Sequence, residues 1–277
     1  MKKSILAMAT AMLLFVGCDK IEPSEDGTFI EYAGAVGEWE DANPLSDQSQ
    51  RVWIEKYTGV RCTNCPDADA VITSTLSSYA GRVFATSIHD SVSFGDPVAG
   101  SRDLRTAVGT AWCNYFASDG MKPVALLNRQ VTVTPTSPFT GDIDALLAES
   151  PKVAVAVASH WDDQAGKISV TTTVQQLSEV SDDLTLTLLV MEDSLVGAQK
   201  YPDHTDTNYV HNHVLRSVIT DKWGFDITGL SVGAAKKVTL RGDLPEGAVM
   251  NHCKIIALVS NKGDRKVLNC AECEVTE

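Results

Sequence analysis

Strict alternation of apolar and polar side chains marks the second half of the chain as a series of β-strands. The segments Val153-Ala-Val-Ala-Val157 and Leu184-Thr-Leu-Thr-Leu188 have a period of two, which is the period of a strand with one buried face. Seven such runs follow one another, with turn residues between most of them and no helical spacing among them: residues 152–160, 167–175, 184–192, 209–220, 235–241, 252–260 and 265–275. Seven short strands in about 125 residues predict an all-β sandwich over residues 151–277.

The first half instead alternates strand patterns with helix patterns. Arg51–Tyr57 alternates large and polar side chains, whereas residues 67–79 carry apolar side chains at helical spacing. The predicted elements are strands over 51–57, 82–89 and 120–127 and helices over 67–79, 100–117 and 142–147. This order predicts an α/β domain over residues 45–150.

A Cys-x-x-Cys motif lies between the first predicted strand and the first predicted helix. Residues three apart on a first helical turn share one side, so Cys62 and Cys65 can form and reopen a small disulfide ring. The positive end of the helix dipole stabilises a thiolate on the N-terminal cysteine. Cys62 is therefore the predicted nucleophile and Cys65 the resolving thiol. The motif alone equally fits half a zinc site or a structural disulfide.

The strand, the Cys-x-x-Cys helix and the proline that opens the later strand resemble the thioredoxin superfamily over residues 45–150. The resemblance implies that Pro123 is a cis-proline on a loop facing the disulfide. Two features depart from the family: Arg61 stands where thioredoxins have Trp, and the interval from Cys62 to Pro123 is longer than usual. The extra chain is assigned to residues 91–105. The resemblance thus leaves substrate choice and redox direction open. The predicted fold class is an α/β thioredoxin-like domain followed by an all-β immunoglobulin-like sandwich.

Two further residues of the first half are candidates for the same chemistry. His89 ends the second strand, at the sheet edge where α/β folds place their sites, and is a candidate proton acceptor for Cys62 or Cys65. The alternative is a histidine that bonds backbone at a strand end. Cys113 lies among aromatic residues and is predicted to be a buried apolar thiol, with a third redox centre as the alternative.

The N-terminus predicts export and a lipid anchor. Lys2 and Lys3 precede an apolar run that is shorter than the ~20 residues needed to span a bilayer, which predicts a signal peptide over residues 1–17. Leu14-Phe-Val-Gly-Cys18 resembles a bacterial lipobox, and the resemblance implies that Cys18 is diacylated and becomes the first residue. An ordinary signal peptide with an incidental cysteine is the alternative. Residues 18–44 are predicted to be an acidic tether, in a compartment that permits disulfides.

Composition and net charge limit the classes of fold and of binding partner that this chain can have. The 277 residues are 44% hydrophobic and 21% charged, as in globular proteins, so a core is expected. The formal net charge is −13 without any basic stretch, and such a chain is repelled by phosphate backbones. Nucleic-acid binding is excluded. The expected membrane contact is the N-terminal lipid.

The order of lipobox, Cys-x-x-Cys domain and sandwich, together with the stretch Tyr209-Val-His-Asn-His-Val-Leu-Arg216, resembles the Omp28-related outer-membrane lipoprotein family of Gram-negative bacteria. The resemblance implies an outer-membrane location, lipid-anchored and facing the periplasm or the cell exterior. It brings no firm biochemical activity with it.

The sequence contains two alternative sets of metal-ligand side chains, but neither a metal site nor a cofactor is predicted. His211 and His213 are placed on one face of a strand, and with His204 and Asp206 they make one alternative set of ligands. A second alternative set, in the C-terminal segment, is Cys253, Cys270, Cys273 and His252.

The last two predicted strands form a hairpin around residues 261–264. The preferred register places Cys253 opposite Cys273, which predicts a structural disulfide between them. Cys270 then faces the other side of the sheet as a free thiol. A slip of one residue would turn every partner to the other face.

Two classes of function follow from these patterns. The preferred one is an anchored thiol-disulfide oxidoreductase that acts on extracytoplasmic proteins, with Cys62, Cys65 and Pro123 at its site. The alternative is a surface binding or adhesion lipoprotein in which the Cys62–Cys65 bond is structural.

Overall fold

The computed structural model describes residues 36–277 and gives them fifteen β-strands and three α-helices. The first half contains β1 (Glu40–Ala42), β2 (Val52–Thr58), α1 (Cys65–Ser78), β3 (Val83–His89), α2 (Ala107–Phe116), β4 (Val124–Leu127), β5 (Val131–Val133) and α3 (Thr140–Leu147). The second half contains β6 (Val153–Asp162), β7 (Lys167–Gln176), β8 (Leu184–Glu192), β9 (Leu195–Lys200), β10 (Thr205–His211), β11 (Val214–Val218), β12 (Phe225–Ile227), β13 (Ala235–Gly242), β14 (Cys253–Asn261) and β15 (Val267–Thr276).

One thirteen-stranded sheet runs through both halves of the described chain. Its order is β1-β13-β7-β6-β15-β14-β8-β11-β3-β2-β4-β5, with β12 also paired to β8, while β9 and β10 form a separate hairpin. The two halves join where Val214 of β11 pairs in parallel with Ser87 of β3. The candidate chemistry lies at this junction.

In the first half, β2 is central and fully buried, parallel to β3 and antiparallel to β4, which pairs with β5. Alternate residues of β2 face opposite layers because a strand has a period of two. Val52 and Ile54 pack in a core with α1 and α3, whereas Trp53 and Tyr57 pack in a core with α2.

The element predictions for this half are confirmed in kind and order, but one strand and one helix begin later than predicted. The strand expected over residues 120–127 begins at Val124, because Pro123 cannot donate to a ladder. The helix expected over residues 100–117 begins at Ala107, because the hydroxyl of Thr106 accepts a hydrogen bond from the backbone N–H of Gly109 and caps it there. Residues 100–106 form an irregular segment instead. The short strand β5 was not predicted.

The second half stacks two sheet layers. Apolar residues of β6, β7 and β13 share a core with those of β8, β14 and β15. The opposite face of β8 and β14, with Leu189, Met191 and Ile256, packs against Trp53 and Trp112 in the core of the first half. Burial of one such side chain is worth about 1.5–3 kcal/mol. The two halves thus stabilise each other, and the boundary at residue 150 stays a prediction.

The strand predicted over residues 209–220 is wrong in its extent. β10 ends at His211 and β11 begins at Val214, because the chain leaves the small hairpin and enters the main sheet at that point. His213 has a positive φ of 57°, and its N–H donates to Asp193 Oδ1. The strands β9 and β12 were also missed.

The tether prediction needs correction at its described end. Residues 40–42, inside the segment expected to be a tether, form β1 and pair with β13. Two ion pairs, Lys236 with Asp41 and Lys237 with Glu40, accompany this pairing. Opposite charges on facing strands favour this added edge strand. The predicted signal peptide and Cys18 lie outside the described residues.

The predicted disulfide between Cys253 and Cys273 is corrected, since both are free cysteines. The hairpin register is shifted by two residues from the expected one, so that Ile255 pairs with Cys273 and Leu258 with Cys270. The shift accompanies an irregularity beside the turn, between Val259 and Ser260. It preserves the faces: Cys253 lies on the sandwich side, and Cys270 on the opposite side as expected.

Candidate functional site

The Cys-x-x-Cys motif lies where β2 leads into α1. Cys65 is the first residue of α1, and Cys62 is bonded to it as a disulfide with a Cα–Cα distance of 5.4 Å. The motif therefore begins one turn before the helix. The prediction that Cys62 lies at the helix start, with Cys65 one turn on, is wrong by one turn, because α1 begins at Cys65 after the N-cap residue Asn64.

Pro123 lies at the same edge of the sheet as this motif. The Lys122–Pro123 peptide bond is cis, and the next residue, Val124, pairs with Tyr57 near the end of β2. The strand register thus brings Pro123 beside the end of β2, from which the chain enters the motif.

The disulfide is buried beneath the β9–β10 hairpin. Cys62 is 3% exposed and Cys65 is 0% exposed. Gln199 of β9, itself buried, donates from Nε2 to the carbonyl oxygen of Cys62 at 2.9 Å, and the N–H of Lys200 donates to the carbonyl of Val60 at 2.8 Å. The second half of the chain therefore covers the motif of the first half.

The loop after β3 closes the motif from another side. The N–H of Arg61 donates to the carbonyl of Phe94 at 2.9 Å, and its guanidinium donates to the carbonyls of Asp96 and Pro97 at 2.8 Å each. A Cβ at Gly59 would lie 2.4 Å from the Phe94 oxygen, which explains why glycine is needed at this close approach. Arg61, the residue that stands where thioredoxins have Trp, thus holds the loop after β3 against the motif.

A buried ion pair fastens this loop to the cis-proline loop. Lys122 Nζ lies 2.6 Å from Asp90 Oδ2, and both side chains are almost fully buried. Lys122 also donates to the carbonyl of Ser93 at 2.5 Å. Cys113 is free and buried as predicted, and burial, followed by the charge of Asp90, raises its pKa to about 12.

A polar cluster lies between α1, the sheet and β10. Lys56 of β2, buried, forms an ion pair with Asp69 on α1, one helical turn after Cys65. The hydroxyl of Tyr209 on β10 donates to the other carboxylate oxygen of Asp69 at 2.9 Å. Burial, followed by the charge of Asp69, raises the pKa of Tyr209. Asp69 therefore links three elements of the fold.

His89 lies against His211 in this cluster, with ring centroids 5.7 Å apart. Burial lowers the pKa of His89 well below its usual value and that of His211 to about 4. Nδ1 of His89 and Nε2 of His211 have no hydrogen-bond partner in the described part of the chain. Both rings are neutral near pH 7. The role of His89 as a proton acceptor for the cysteines stays a prediction.

A cleft of about 350 Å³ opens between α1 and β10. Its walls include Asp69 and Thr73 on the helix side and Tyr201, Tyr209 and His213 on the other side. A small polar cavity that holds His89 and His211 shares Asp69 and Asn212 with it. The cleft has the concave, mixed apolar and polar character of a ligand site.

The structure separates the histidines considered as one metal-binding set. His211 is buried beside His89, His213 lies 3.3 Å from Asp193, and His204 stacks on Tyr201 with centroids 4.7 Å apart. Within residues 36–277, no group of three or more His, Cys, Asp or Glu side chains has a metal-binding arrangement. The same residues contain no helix long and apolar enough to cross a membrane.

Several residues of this site were missed by sequence reasoning. Gln199, Lys56 and Asp69 act through contacts between distant segments. The local pattern predicts only a strand at Lys56 and a helix at Asp69, and it predicts no element at Gln199. The pair Asp90–Lys122 had one usable signal: Lys122 directly precedes the proline that was singled out, and Asp90 directly follows the strand predicted over residues 82–89. A buried lysine at such an edge requires a carboxylate partner.

Comparison with known proteins identifies the family. The model of the family described as "Outer membrane protein Omp28" matches residues 110–277, more than half of the chain. The chain belongs to the Omp28 family. No curated protein matches its sequence. The family assignment agrees with the predicted resemblance and gives the chain an outer-membrane association.

Two solved structures share the fold of this Omp28-family chain at low sequence identity, and a third is similar over a shorter part of the chain. HBP35 of Porphyromonas gingivalis is 15% identical, with a TM-score of 0.61 over 83% of this chain and 77% of that chain. Protein AGR_C_4864 from Agrobacterium tumefaciens is also 15% identical, with a TM-score of 0.52 over 84% and 97% of the two chains. A domain of the outer membrane lipoprotein Omp28 from P. gingivalis is 18% identical over 46% of this chain and 91% of its own, with a TM-score of 0.33.

Proposed function

We propose that this chain is an outer-membrane lipoprotein that binds an extracytoplasmic partner in the cleft between α1 and β10. The Cys62–Cys65 disulfide lies at the start of α1 and is a structural bond in this account. Cys18 carries the lipid, and the anchored protein faces the periplasm or the cell exterior.

The proposal includes a thioredoxin-like scaffold for residues 45–150. Its support is the element order β2-α1-β3-α2-β4-β5-α3 with the strand order β3-β2-β4-β5. The disulfide at the start of the first helix and the cis-proline before β4 add to this support. For residues 151–277, two stacked antiparallel layers support an immunoglobulin-like sandwich.

Burial of the disulfide is the observation that carries the choice of binding over exchange. A substrate thiolate must approach one sulfur in order to form a mixed disulfide. Cys62 is 3% exposed, and its carbonyl is held by buried Gln199 at 2.9 Å. An attacking thiolate would have to displace the β9–β10 hairpin, which also forms one wall of the cleft. The same hairpin thus shields the sulfurs and shapes the binding site.

Thiol-disulfide exchange is the second candidate, because Pro123 and the motif share one sheet edge. In that case a dithiol donor would first reduce Cys62–Cys65 after the hairpin opens, and the Cys62 thiolate would then attack a substrate disulfide and displace one substrate thiolate. Cys65 would attack the Cys62 sulfur of the mixed disulfide, which re-forms the Cys62–Cys65 bond and releases the second substrate thiolate. The position of the cis-proline favours thiol-disulfide exchange, whereas burial of the disulfide beneath the β9–β10 hairpin disfavours it.

Mixed-disulfide trapping distinguishes the two candidates. The experiment uses Cys65→Ser and Cys62→Ser in a Cys273→Ser background, since Cys273 is a partly exposed free thiol that would react on its own. With a structural bond, neither variant captures more extracytoplasmic protein than the Cys273→Ser background. Strong capture through Cys62 in Cys65→Ser, with little capture in Cys62→Ser, would establish exchange and overturn the binding proposal.

A further inference from the structure

We propose that the cleft between α1 and β10 binds a cationic side chain, preferably the guanidinium of an arginine, on a partner polypeptide. This inference rests on the proposed binding function and names the chemistry of its partner. It is carried by three features: the aromatic walls of the cleft, unpaired carboxylates whose charges act on the wall residue Tyr201, and buried polar atoms without partners in the cavity that adjoins the cleft.

Aromatic rings follow one another along the hairpin into the cleft. Tyr201 and Tyr209 have centroids 6.4 Å apart at an interplanar angle of 65°, and Tyr209 packs at 4.8 Å from His211. His204 lies parallel to Tyr201, with an interplanar angle of 8°. His204 thus covers one face of Tyr201, and this pair shows that the ring stacks with a planar nitrogen-containing group. Tyrosine faces attract cations, and guanidinium stacks on them more often than ammonium does.

Carboxylates give this aromatic region a negative potential. Asp69 is neutralised by Lys56, whereas Asp67 and Asp206 have no ion-pair partner within residues 36–277. Burial and the charges of Asp206, Asp67 and Asp69 raise the pKa of Tyr201. The fields of these carboxylates thus reach the ring that forms the cleft wall. A cation entering there gains charge complementarity.

Unpartnered nitrogens lie behind the carboxylate of Asp69. Nδ1 of His89 and Nε2 of His211 are buried without a hydrogen-bond partner, and their residues are 2% and 5% exposed. Their cavity shares Asp69 and Asn212 with the cleft. Buried polar atoms are normally hydrogen-bonded, so two orphaned atoms beside a cleft indicate a place for a polar ligand or its water. This adjoining cavity has a volume of about 10 Å³, which suits one water, so a guanidinium in the cleft would reach these nitrogens through that water.

The test measures how tightly the intact, oxidised protein binds short peptides in which the central residue is the only one that can carry a charge. The probes are acetyl-Gly-Ser-Arg-Ser-Gly-amide and the same peptide with citrulline, which keeps the shape of arginine and lacks its charge. Isothermal titration is expected to give at least about tenfold weaker binding for citrulline, because the ion attraction and the cation–π contact are both lost. Equal binding of both peptides would overturn the proposal.

A matched pair of variants locates the charge. Asp206→Asn removes a carboxylate near Tyr201, whereas Asp163→Asn removes one from the exposed turn between β6 and β7. The Arg peptide should bind about threefold or more weakly to Asp206→Asn and with unchanged affinity to Asp163→Asn. Equal weakening by both would assign the binding to the net charge of −13 and overturn the site.

One further probe tests whether the cation belongs to a polypeptide, and comparison with mixed-disulfide trapping separates failure of this site from failure of the proposed function. Acetyl-arginine-amide should bind more weakly than the peptide; equal affinity would overturn a polypeptide as the source. A chain that binds the Arg peptide and also traps mixed disulfides would keep this site while overturning the structural disulfide. Absence of Arg-peptide binding, with no trapping, would overturn only the cationic ligand.

Discussion

At the scale of single residues, the site is built from buried charged groups whose partners come from distant segments. Lys56 and Lys122 are both nearly inaccessible, and each is paired with an aspartate, Asp69 and Asp90 respectively. Breaking such a pair leaves one buried charge uncompensated, at a typical cost of 3–5 kcal/mol. These pairs fix α1 and the loop after β3 around the disulfide.

The buried histidines make the folded state sensitive to acid. Burial lowers the pKa of His211 from 6.5 to about 4 and lowers that of His89 further below its usual value. Because an unfolded histidine keeps a pKa near 6.5, the unfolded state binds more protons than the folded state between pH 6.5 and pH 4. The contribution of these two histidines to the free energy of unfolding is complete above pH 6.5 and is lost as the pH falls toward 4.

We expect the free energy of unfolding to drop by at least about 2 kcal/mol between pH 7 and pH 4.5. His211→Asn should reduce this pH dependence, while His252→Gln, at an exposed position, should keep it. Urea unfolding at several pH values measures the effect. An identical pH profile for His211→Asn and the unchanged protein would show that His211 is not held neutral by burial.

At the scale of elements, the periodicity of apolar side chains predicted most of the strands and helices that bury one regular face. The strands β2, β3, β6, β7, β8, β13, β14 and β15 and the helix α1 lie close to their predicted positions, since each buries a regular face. The prediction failed where tertiary contacts decide the backbone. His213 leaves the strand conformation to let the chain change sheets, and the hairpin of β14 and β15 takes a register that its sequence left open.

The register of that hairpin predicts the reactivity of its cysteines. Non-reducing peptide mapping should find Cys253, Cys270 and Cys273 free, as in the structure. In native alkylation Cys273 should react first, because it is partly exposed, and Cys270 last, because it is fully buried and burial raises its pKa to about 12. A peptide linking Cys253 to Cys273 would contradict the observed register.

At the scale of the whole molecule, the two predicted halves share one sheet and one of the hydrophobic cores, the one that contains Trp53 and Leu189. The sequence pattern indicates both halves, but it contains no sign that β9 would cover Cys62 or that Tyr209 would reach Asp69. Such contacts join residues more than a hundred positions apart and depend on how two sheet edges meet. The Cys-x-x-Cys motif and Pro123 were therefore found from sequence, while their cover and the adjacent cleft were not.

Membrane attachment is also a property of the whole chain. If Cys18 carries the lipid, Cys18→Ser should move the protein from the membrane fraction to the soluble extracytoplasmic fraction or leave the precursor unprocessed. Cell fractionation with immunodetection measures this, and Asp19→Asn serves as a control that keeps the cysteine. Normal processing with full membrane retention of Cys18→Ser would contradict the lipoprotein proposal.

The equilibrium reduction potential of Cys62–Cys65 tests the central claim most directly. Structural disulfides have potentials below about −300 mV, and exchanging pairs have higher ones. The intact protein, equilibrated with dithiothreitol buffers, should give a value below about −300 mV. Gln199→Ala, which removes the buried donor to Cys62, should be reduced faster than Gln164→Ala, an exposed glutamine control. A potential of about −200 mV, with reduction equally fast in both variants, would contradict a structural bond held beneath the β9–β10 hairpin.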